Sequence, residues 1–488
     1  MSYLELLKLA APEAIVVVTA LAVLTIGLTT ARALVLGPIV AVLGIALAIG
    51  AVLMLPSHAN LFGGMLVISP LNSLFKIICL ALAIATIPLV SSEKALPNPG
   101  EYIAVLLLGS VGLMLLVGSE ELLMIFIGLE LLGLSLYVLA AFDKADVHSA
   151  EAGLKYFLFG STASAFTLFG ISLIYGLSGT TALAAIGQKL TTLPLQPLLA
   201  VGIVMTLIGF AFKIAAAPFH LWAPDAYQGA PIPSAAFIAS GSKVASFVVL
   251  GKIVLVGFGP VHGSADWHAM IAGWSPVLAA LAALSILLGN FVALAQTNVR
   301  RLLAYSAVAH GGYTLLGVVA GGREGFSATL FYTTTYAVTL IGAFAVVGAV
   351  RGETGGDDLQ NFSGLTARSP FLAACMAIFF LSLAGLPPLA GFFGKFYLFS
   401  AAFRAGGNHG LLWLVAVALF GSFVSLYYYL IVLKVIFVDK LSESESRHLS
   451  LVTGHFVANA TIAVLAAAVL FLGIMPQTLA AKIIASLP

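Results

Sequence analysis

The sequence predicts an all-α integral membrane protein of about fourteen transmembrane helices, two of them discontinuous. Three observations carry that prediction. The 488 residues are 61% hydrophobic and only 8% charged, with a mean hydropathy of +1.13. A soluble domain carries roughly 25% charged residues, so this chain has too few to cover a water-facing surface. Apolar runs of about 20 residues, enough to cross about 30 Å of hydrocarbon, recur along its whole length. Two of those runs, GFAFKIAAAPFHLW (209–222) and SLAGLPPLAGFFGKF (382–396), are interrupted by proline beside a lysine.

Composition also narrows the function classes. A formal net charge of +2 without a basic run gives no reason to expect nucleic acid. Cys79 and Cys375 stand alone in apolar segments, so no disulfide, zinc site or iron–sulfur cluster is expected. No GxGxxG or Walker-type loop occurs, so no nucleotide is expected either.

The first apolar run, about Ala14 to Leu28, follows Glu5 and Lys8 but has no small-residue cleavage site, so it reads as a first span and not a signal peptide. Spans are expected near 12–30, 34–55, 70–90, 101–118, 121–141, 153–176, 198–219, 233–257, 276–295, 299–320, 325–350, 370–399, 410–438 and 453–474. The whole chain, 1–488, reads as one polytopic membrane domain with short loops, of which LSESESRHLS (441–450) is the most polar.

Short-loop charge sets the expected orientation. Loops after odd-numbered spans hold Arg32, Lys94, Lys144, Arg300, Arg301, Arg351, Arg368, Lys440 and Arg447; the other side has Lys8, Lys189, Arg323, Arg404 and Lys482. That bias places both termini on the outer, non-cytoplasmic face.

An ionisable side chain inside a span costs about 2.5–3.5 kcal/mol even on the lenient insertion scale, which makes it a functional candidate by default. Lys76, Lys252 and Lys434 lie near span ends and are expected to snorkel to the interface. Glu101, Glu120 and Glu121 begin spans, where carboxylates suit helix N-termini. Four residues resist such readings. Glu130 lies roughly 14 Å into span 5 and Lys243 roughly 15 Å past Pro233 in span 8, at 1.5 Å per residue. Lys213 is deep in span 7 and Lys395 lies within span 12. A single Glu–Lys pair can simply fix packing, but one glutamate and three lysines on four helices leave basic groups unmatched. Lys155 at the start of span 6 either snorkels or reaches towards Glu130, and His310 in span 10 is either a satisfied core histidine or a relay. Desolvation penalises the charged form of each such group. Groups that titrate far apart in water can then exchange protons near neutral pH, which is the chemistry of a switchable proton relay.

Proline lacks an N–H and clashes with the preceding turn, so span 7 should break after Lys213. Pro387 and Pro388 do the same to span 12. Backbone freed at membrane depth is tolerated only where protein or water satisfies it, and paired interruptions point to a transporter built from two repeats. Spans 4–8 (100–257) and 9–13 (276–438) make two five-helix units with the broken helix fourth in each, flanked by 1–95 and 450–488. An odd helix count makes successive units inverted.

KIAAAPFHLWAPDAYQGAPIPSAAFIASGSKVASF closely resembles helices 7 and 8 of the proton-translocating, antiporter-like membrane subunits. RLLAYSAVAHGGY resembles their helix 10 and LAGLPPLAGFFGKFYLF their helix 12. PDAYQGAP, followed by a span 8 without a His-Ala-Ala-Thr run, is similar to the N-subunit branch of bacterial NADH:quinone oxidoreductase, respiratory complex I. The resemblance implies that Glu130 is the helix 5 glutamate that pairs with a lysine, and that Lys213 is the helix 7 lysine it modulates. It makes Lys243 and Lys395 the lysines of the central axis and second half-channel, with Lys155 and His310 as further polar positions. It also implies other membrane-arm subunits and lipids as partners, among them related antiporter-like subunits and small membrane subunits, and no cofactor in this chain. Flavin, iron–sulfur clusters and quinone would belong to partner subunits. The nearest alternative is a subunit of a multisubunit cation/proton antiporter or membrane hydrogenase. A haem- or quinone-binding subunit needs facing histidines, for which His220 and His310 are the candidates; a passive spacer is the remaining rival.

Overall fold

The computed structural model describes residues 3–30, 32–93, 96–405, 409–439 and 456–487. The polar loop 441–450 and the basic positions Lys94, Lys440 and Arg447 lie outside the described residues. Among the described residues twelve helices are long and apolar enough to cross a membrane. Two shorter apolar helices, Pro197–Lys213 and Pro370–Ala384, are the first halves of spans 7 and 12. With them the path of the chain follows the expected fourteen crossings.

The spans are Ala11–Thr29, Ala33–Leu53, Pro70–Thr86, Pro99–Gly118, Leu122–Ala140 and Val147–Ser178 for 1 to 6. Span 7 is Pro197–Lys213 and, after a break, Ala223–Gly229. Span 8 is Ile232–Ala239 and Gly241–Lys252, closed by one π-helical turn, Ile253–Gly257. Spans 9 to 11 are Trp274–Leu294, Val299–Ala320 and Gly322–Thr354. Span 12 is Pro370–Ala384 and Ala390–Arg404, and spans 13 and 14 are Leu412–Phe437 and Phe456–Ile474. Three short helices (Tyr3–Leu9, Leu183–Leu190 and Gln477–Ser486) and a small antiparallel pair, Ala59–Leu61 with Leu66–Ile68, have no counterpart in the sequence-based expectation. They are too brief to leave a periodic signal.

Local chemistry sets the ends. The Ser69 side chain accepts from the Asn72 amide, with Pro70 in the first turn; Glu121 accepts from Leu123 and Met124, and Asn298 from Arg300 and Arg301. Spans 6, 11 and the first half of 12 stop at Gly179, Gly355 and Gly385, all left-handed. Spans 8 and 10 form the centre: 94% of the most apolar stretch of each is buried inside the bundle, against 33% for spans 1 and 2.

The two anticipated breaks are present, and their freed backbone is satisfied by protein. In span 7 the helix ends at Lys213 itself. The Trp222 indole donates to the Phe212 carbonyl at 3.1 Å, and the Ala217 amide donates to Ser285 Oγ at 2.8 Å. In span 12 the Gly391 amide donates to Ser382 Oγ at 3.1 Å. A third interruption, at Ser240 in span 8 (φ −114°, ψ −86°), was not anticipated, because no proline marks it.

Arg300, fully buried, braces the turn between spans 7 and 8. Its guanidinium donates to the carbonyl of Tyr227 at 2.7 Å and to that of Ala230, and lies 3.4 Å from Asp357. Removing one partner of a buried ion pair typically costs about 3–5 kcal/mol. Arg300→Ala is therefore expected to lower the thermal unfolding midpoint of the membrane-extracted protein clearly, with Arg300→Lys intermediate. At Gly385 (φ +87°) an added Cβ would fall 2.9 Å from Cδ of Lys395. Gly385→Ala is expected to cost about 1–2 kcal/mol for the left-handed backbone alone, read as a smaller downward shift in the same melting experiment.

Candidate proton-relay site

Three of the predicted residues come together at the centre. Lys243, 2% exposed, donates from Nζ to the Ala307 carbonyl of span 10 at 2.6 Å, and its Nζ lies 5.5 Å from the centre of the Tyr336 ring. That ring is 4.9 Å from the imidazole of His310. Both imidazole nitrogens are engaged: Nδ1 with the Tyr332 hydroxyl at 2.5 Å, and Nε2 with the Tyr429 hydroxyl at 3.1 Å. Tyr429 also shares a hydrogen bond of 2.5 Å with Ser306. The Tyr313 ring packs edge-on against His310 at 5.6 Å and carries Lys395 Nζ 5.1 Å from its centre. Lys395 donates to the Ala384 carbonyl at 2.9 Å and to Ser422 Oγ at 2.8 Å. Spans 8, 10, 11, 12 and 13 thus bring Lys243, His310 and Lys395 round shared tyrosine rings; the Tyr336 hydroxyl has no hydrogen-bond partner, and no hydrogen bond among the described residues joins either lysine to His310.

Backbone geometry explains where the lysines sit. A helix C-terminus carries unsatisfied carbonyls and the negative end of the dipole. Ala384 is the last residue of the first half of span 12, so Lys395 reaches back from the second half to cap it. Lys213 is itself the last residue of the first half of span 7.

Lys213 and Glu130 form a separate group. Lys213 Nζ is buried without a hydrogen-bond partner, 5.4 Å from the centre of the Tyr137 ring and 5.6 Å from that of Tyr156. A desolvated cation over aromatic faces gains on the order of 2 kcal/mol. Glu130, half-buried on span 5, accepts from Ser164 Oγ of span 6. Glu130, Ser164, Thr167 and Lys213 border a cavity of about 10 Å³, the least that holds one water. The two charges are therefore neighbours without direct contact. No hydrogen bond among the described residues joins Lys213 to Lys243.

Lys155 is placed differently from the inward alternative. Its Nζ contacts Asp225 at 2.6 Å and Glu151 at 2.6 Å, and Asp225 also holds Arg301 at 2.7 Å. The second half of span 7 supplies Asp225, which draws Lys155 away from Glu130. Two expected snorkelling lysines are buried instead: Lys76 is 1% exposed and paired with Glu13 at 2.5 Å, and Lys252 is 4% exposed. Their side chains meet oxygens on other spans instead: the Glu13 carboxylate for Lys76, and the Asn72 amide and Val117 carbonyl for Lys252. Lys434, its side chain 65% exposed, does reach outward, 3.5 Å from Asp439. Glu121 caps span 5 as expected.

The tyrosines and serines of the array were missed. FYTTTYAVT in span 11 and SLYYY in span 13 carried a signal, because tyrosine in membrane helices normally marks the interface and not the middle. His220 is buried with Nδ1 unpartnered, while both nitrogens of His310 are taken by hydroxyls. Among the described residues no three His, Cys, Asp or Glu side chains cluster as metal ligands do.

Residues 119–425 match the family described as NADH:quinone oxidoreductase/Mrp antiporter, TM. NADH-quinone oxidoreductase subunit N 2 of Acidobacterium capsulatum is 46% identical, with 98% of each chain covered. Subunit N of Desulforamulus reducens is 39% identical over 90% of this chain and 89% of its own. A chain of respiratory complex I from Thermus thermophilus superposes with a TM-score of 0.78 at 31% identity, covering 96% of this chain and 98% of that one. A chain of the Mrp complex from Dietzia sp. shares the fold, with a TM-score of 0.83 at 21% identity over 98% and 97% of the two chains. This multi-span membrane chain belongs to the NADH:quinone oxidoreductase/Mrp antiporter family and, within it, to the relatives known as NADH-quinone oxidoreductase subunit N.

Proposed function

We propose that this chain is a proton-translocating membrane-arm subunit of a bacterial NADH:quinone oxidoreductase, lying in the inner membrane with both termini outside. The observation that carries the proposal is the Lys243–His310–Lys395 cluster, three ionisable groups gathered round the Tyr336 and Tyr313 rings, with His310 hydrogen-bonded to the Tyr332 and Tyr429 hydroxyls, in the most buried part of the bundle. The names of the relatives favour the oxidoreductase over the cation/proton antiporter.

In this reading the chain carries no electrons. Flavin, iron–sulfur clusters and quinone belong to partner subunits, and their redox energy reaches this chain through neighbouring membrane-arm subunits, related antiporter-like chains and small ones among them. Spans 4–8 and 9–13 act as inverted repeats, each lending one broken helix to the relay. A change beside half-buried Glu130 alters its pull on Lys213, with one water between them to pass the proton. At an effective dielectric near 20, moving a unit charge by a few ångströms is worth a few kcal/mol. Displaced from its aromatic box, Lys213 releases a proton towards Lys243. His310 then exchanges with the Tyr332 and Tyr429 hydroxyls, and Lys395 takes the proton on. Lys155 holds Asp225, and so the second half of span 7, in place.

Glu130→Ala, Lys213→Ala and Lys243→Ala in the assembled complex are each expected to lower proton pumping several-fold, measured beside NADH oxidation in inverted membrane vesicles. Normal pumping by an assembled Lys213→Ala complex would mean a passive spacer instead. Tyr429→Phe removes the hydroxyl shared by Ser306 and His310. It is expected to slow pumping less than Lys243→Ala, because Tyr332 still meets His310.

A further inference from the structure

A second set of buried charges lies outside the relay, at the end of the bundle where spans 1 and 3 begin and spans 4 and 8 end. Lys76 of span 3 contacts Glu13 Oε1 of span 1 at 2.5 Å, with side chains only 2% and 10% exposed. The other oxygen, Glu13 Oε2, is buried with no hydrogen-bond partner. One turn before Lys76 on the same face stands Asn72, whose Oδ1 accepts from Lys252 Nζ of span 8 at 2.5 Å. Lys252 also donates to the Val117 carbonyl at 2.7 Å and lies 3.9 Å from Glu120, whose side chain is 42% exposed. Lys76 runs against the next residue of span 4: a Cβ on Gly118 would meet its Cε at 2.8 Å. The two ammonium groups therefore straddle the end of span 4.

A pair that only fixes packing saturates its charges by direct contact. Here one carboxylate oxygen is left over, and Lys252 rests chiefly on an amide and a carbonyl, neutral acceptors that favour its ammonium form less strongly than a direct carboxylate contact does. Lys252 also sits where span 8 turns π-helical, a feature frequent at functional sites. It follows Lys243 by nine residues on the same span, about 13–14 Å along the axis, with fully buried Ser246 between them.

Resting on the relay reading above, we propose that Lys252 and Glu120, with Asn72, Lys76 and Glu13 around them, form a port that branches from the relay at Lys243 and releases protons to the aqueous face that Glu120 reaches, beside the route that continues to Lys395. An N–H bond of the Lys252 ammonium breaks and an O–H bond forms on the Glu120 carboxylate, leaving a neutral amine and a neutral acid. Glu120 then yields the proton to water, and the amine is reprotonated from the Lys243 side. Lys76 and Glu13 hold the local charge balanced while Lys252 is neutral.

The test is protons moved per NADH oxidised by the assembled complex in inverted vesicles. Lys252→Arg keeps the positive charge and the donors, yet a guanidinium does not release its proton. It is expected to assemble, to oxidise NADH, and to lower the ratio, by less than Lys243→Ala does. A structural clasp would be rescued by arginine. Glu120→Gln at the exposed mouth is expected to lower the ratio likewise, and decides the matter should Lys252→Arg fail to assemble. A wild-type ratio in either assembled variant, beside a lowered ratio in Lys243→Ala, overturns the port alone. A wild-type ratio in Lys243→Ala overturns the relay and the port together.

Discussion

A cation inside hydrocarbon needs something negative beside it, and in this chain the backbone itself supplies much of what is needed. Lys395 reaches the last carbonyl of the first half of span 12, and Lys213 ends the first half of span 7. Lys243 takes a carbonyl of span 10, and Lys252 one of span 4. Carbonyl dipoles favour a lysine's ammonium form less strongly than a salt bridge does. The broken helices, the serines that patch them and the buried arginine that braces span 7 against span 8 all follow from keeping such carbonyls available at depth.

The remaining negative charge is placed at the margins. Glu130 and Lys213 border one small cavity, Asp225 gathers Lys155 and Arg301, Glu13 holds Lys76 of span 3, and Glu120 lies beside Lys252 at the end of span 8. Between these margins lies a core whose polar groups are almost all neutral hydroxyls, with His310 at the crossing point. Its ring bonds tyrosines from two different spans, so movement of span 11 or span 13 registers directly on the imidazole.

Much of this was legible in the sequence. Span number, the two proline breaks and the four deep ionisable residues followed from run length and from the cost of burying charge. What escaped was information carried by contact and not by position. Lys76 and Lys252 sit near span ends, where a long side chain is free to point either way; only Glu13 and Asn72 on other helices decide the direction. The Ser240 break in span 8 has no proline to announce it, and the short hairpin after span 2 is too brief to show a period. The mid-membrane tyrosines of spans 11 and 13 were visible as letters. Their meaning depended on His310 standing between them.

The Tyr429 hydroxyl lies within reach of both Ser306 and His310, yet it owns a single hydrogen. Whichever neighbour receives it, the other must donate, so the wire has a polarity at every instant. In the relay proposed above, each hydrogen ion that passed would leave that polarity reversed behind it. The O–H bonds would then have to swing back before a second could follow, so that rotation as well as distance would set turnover there.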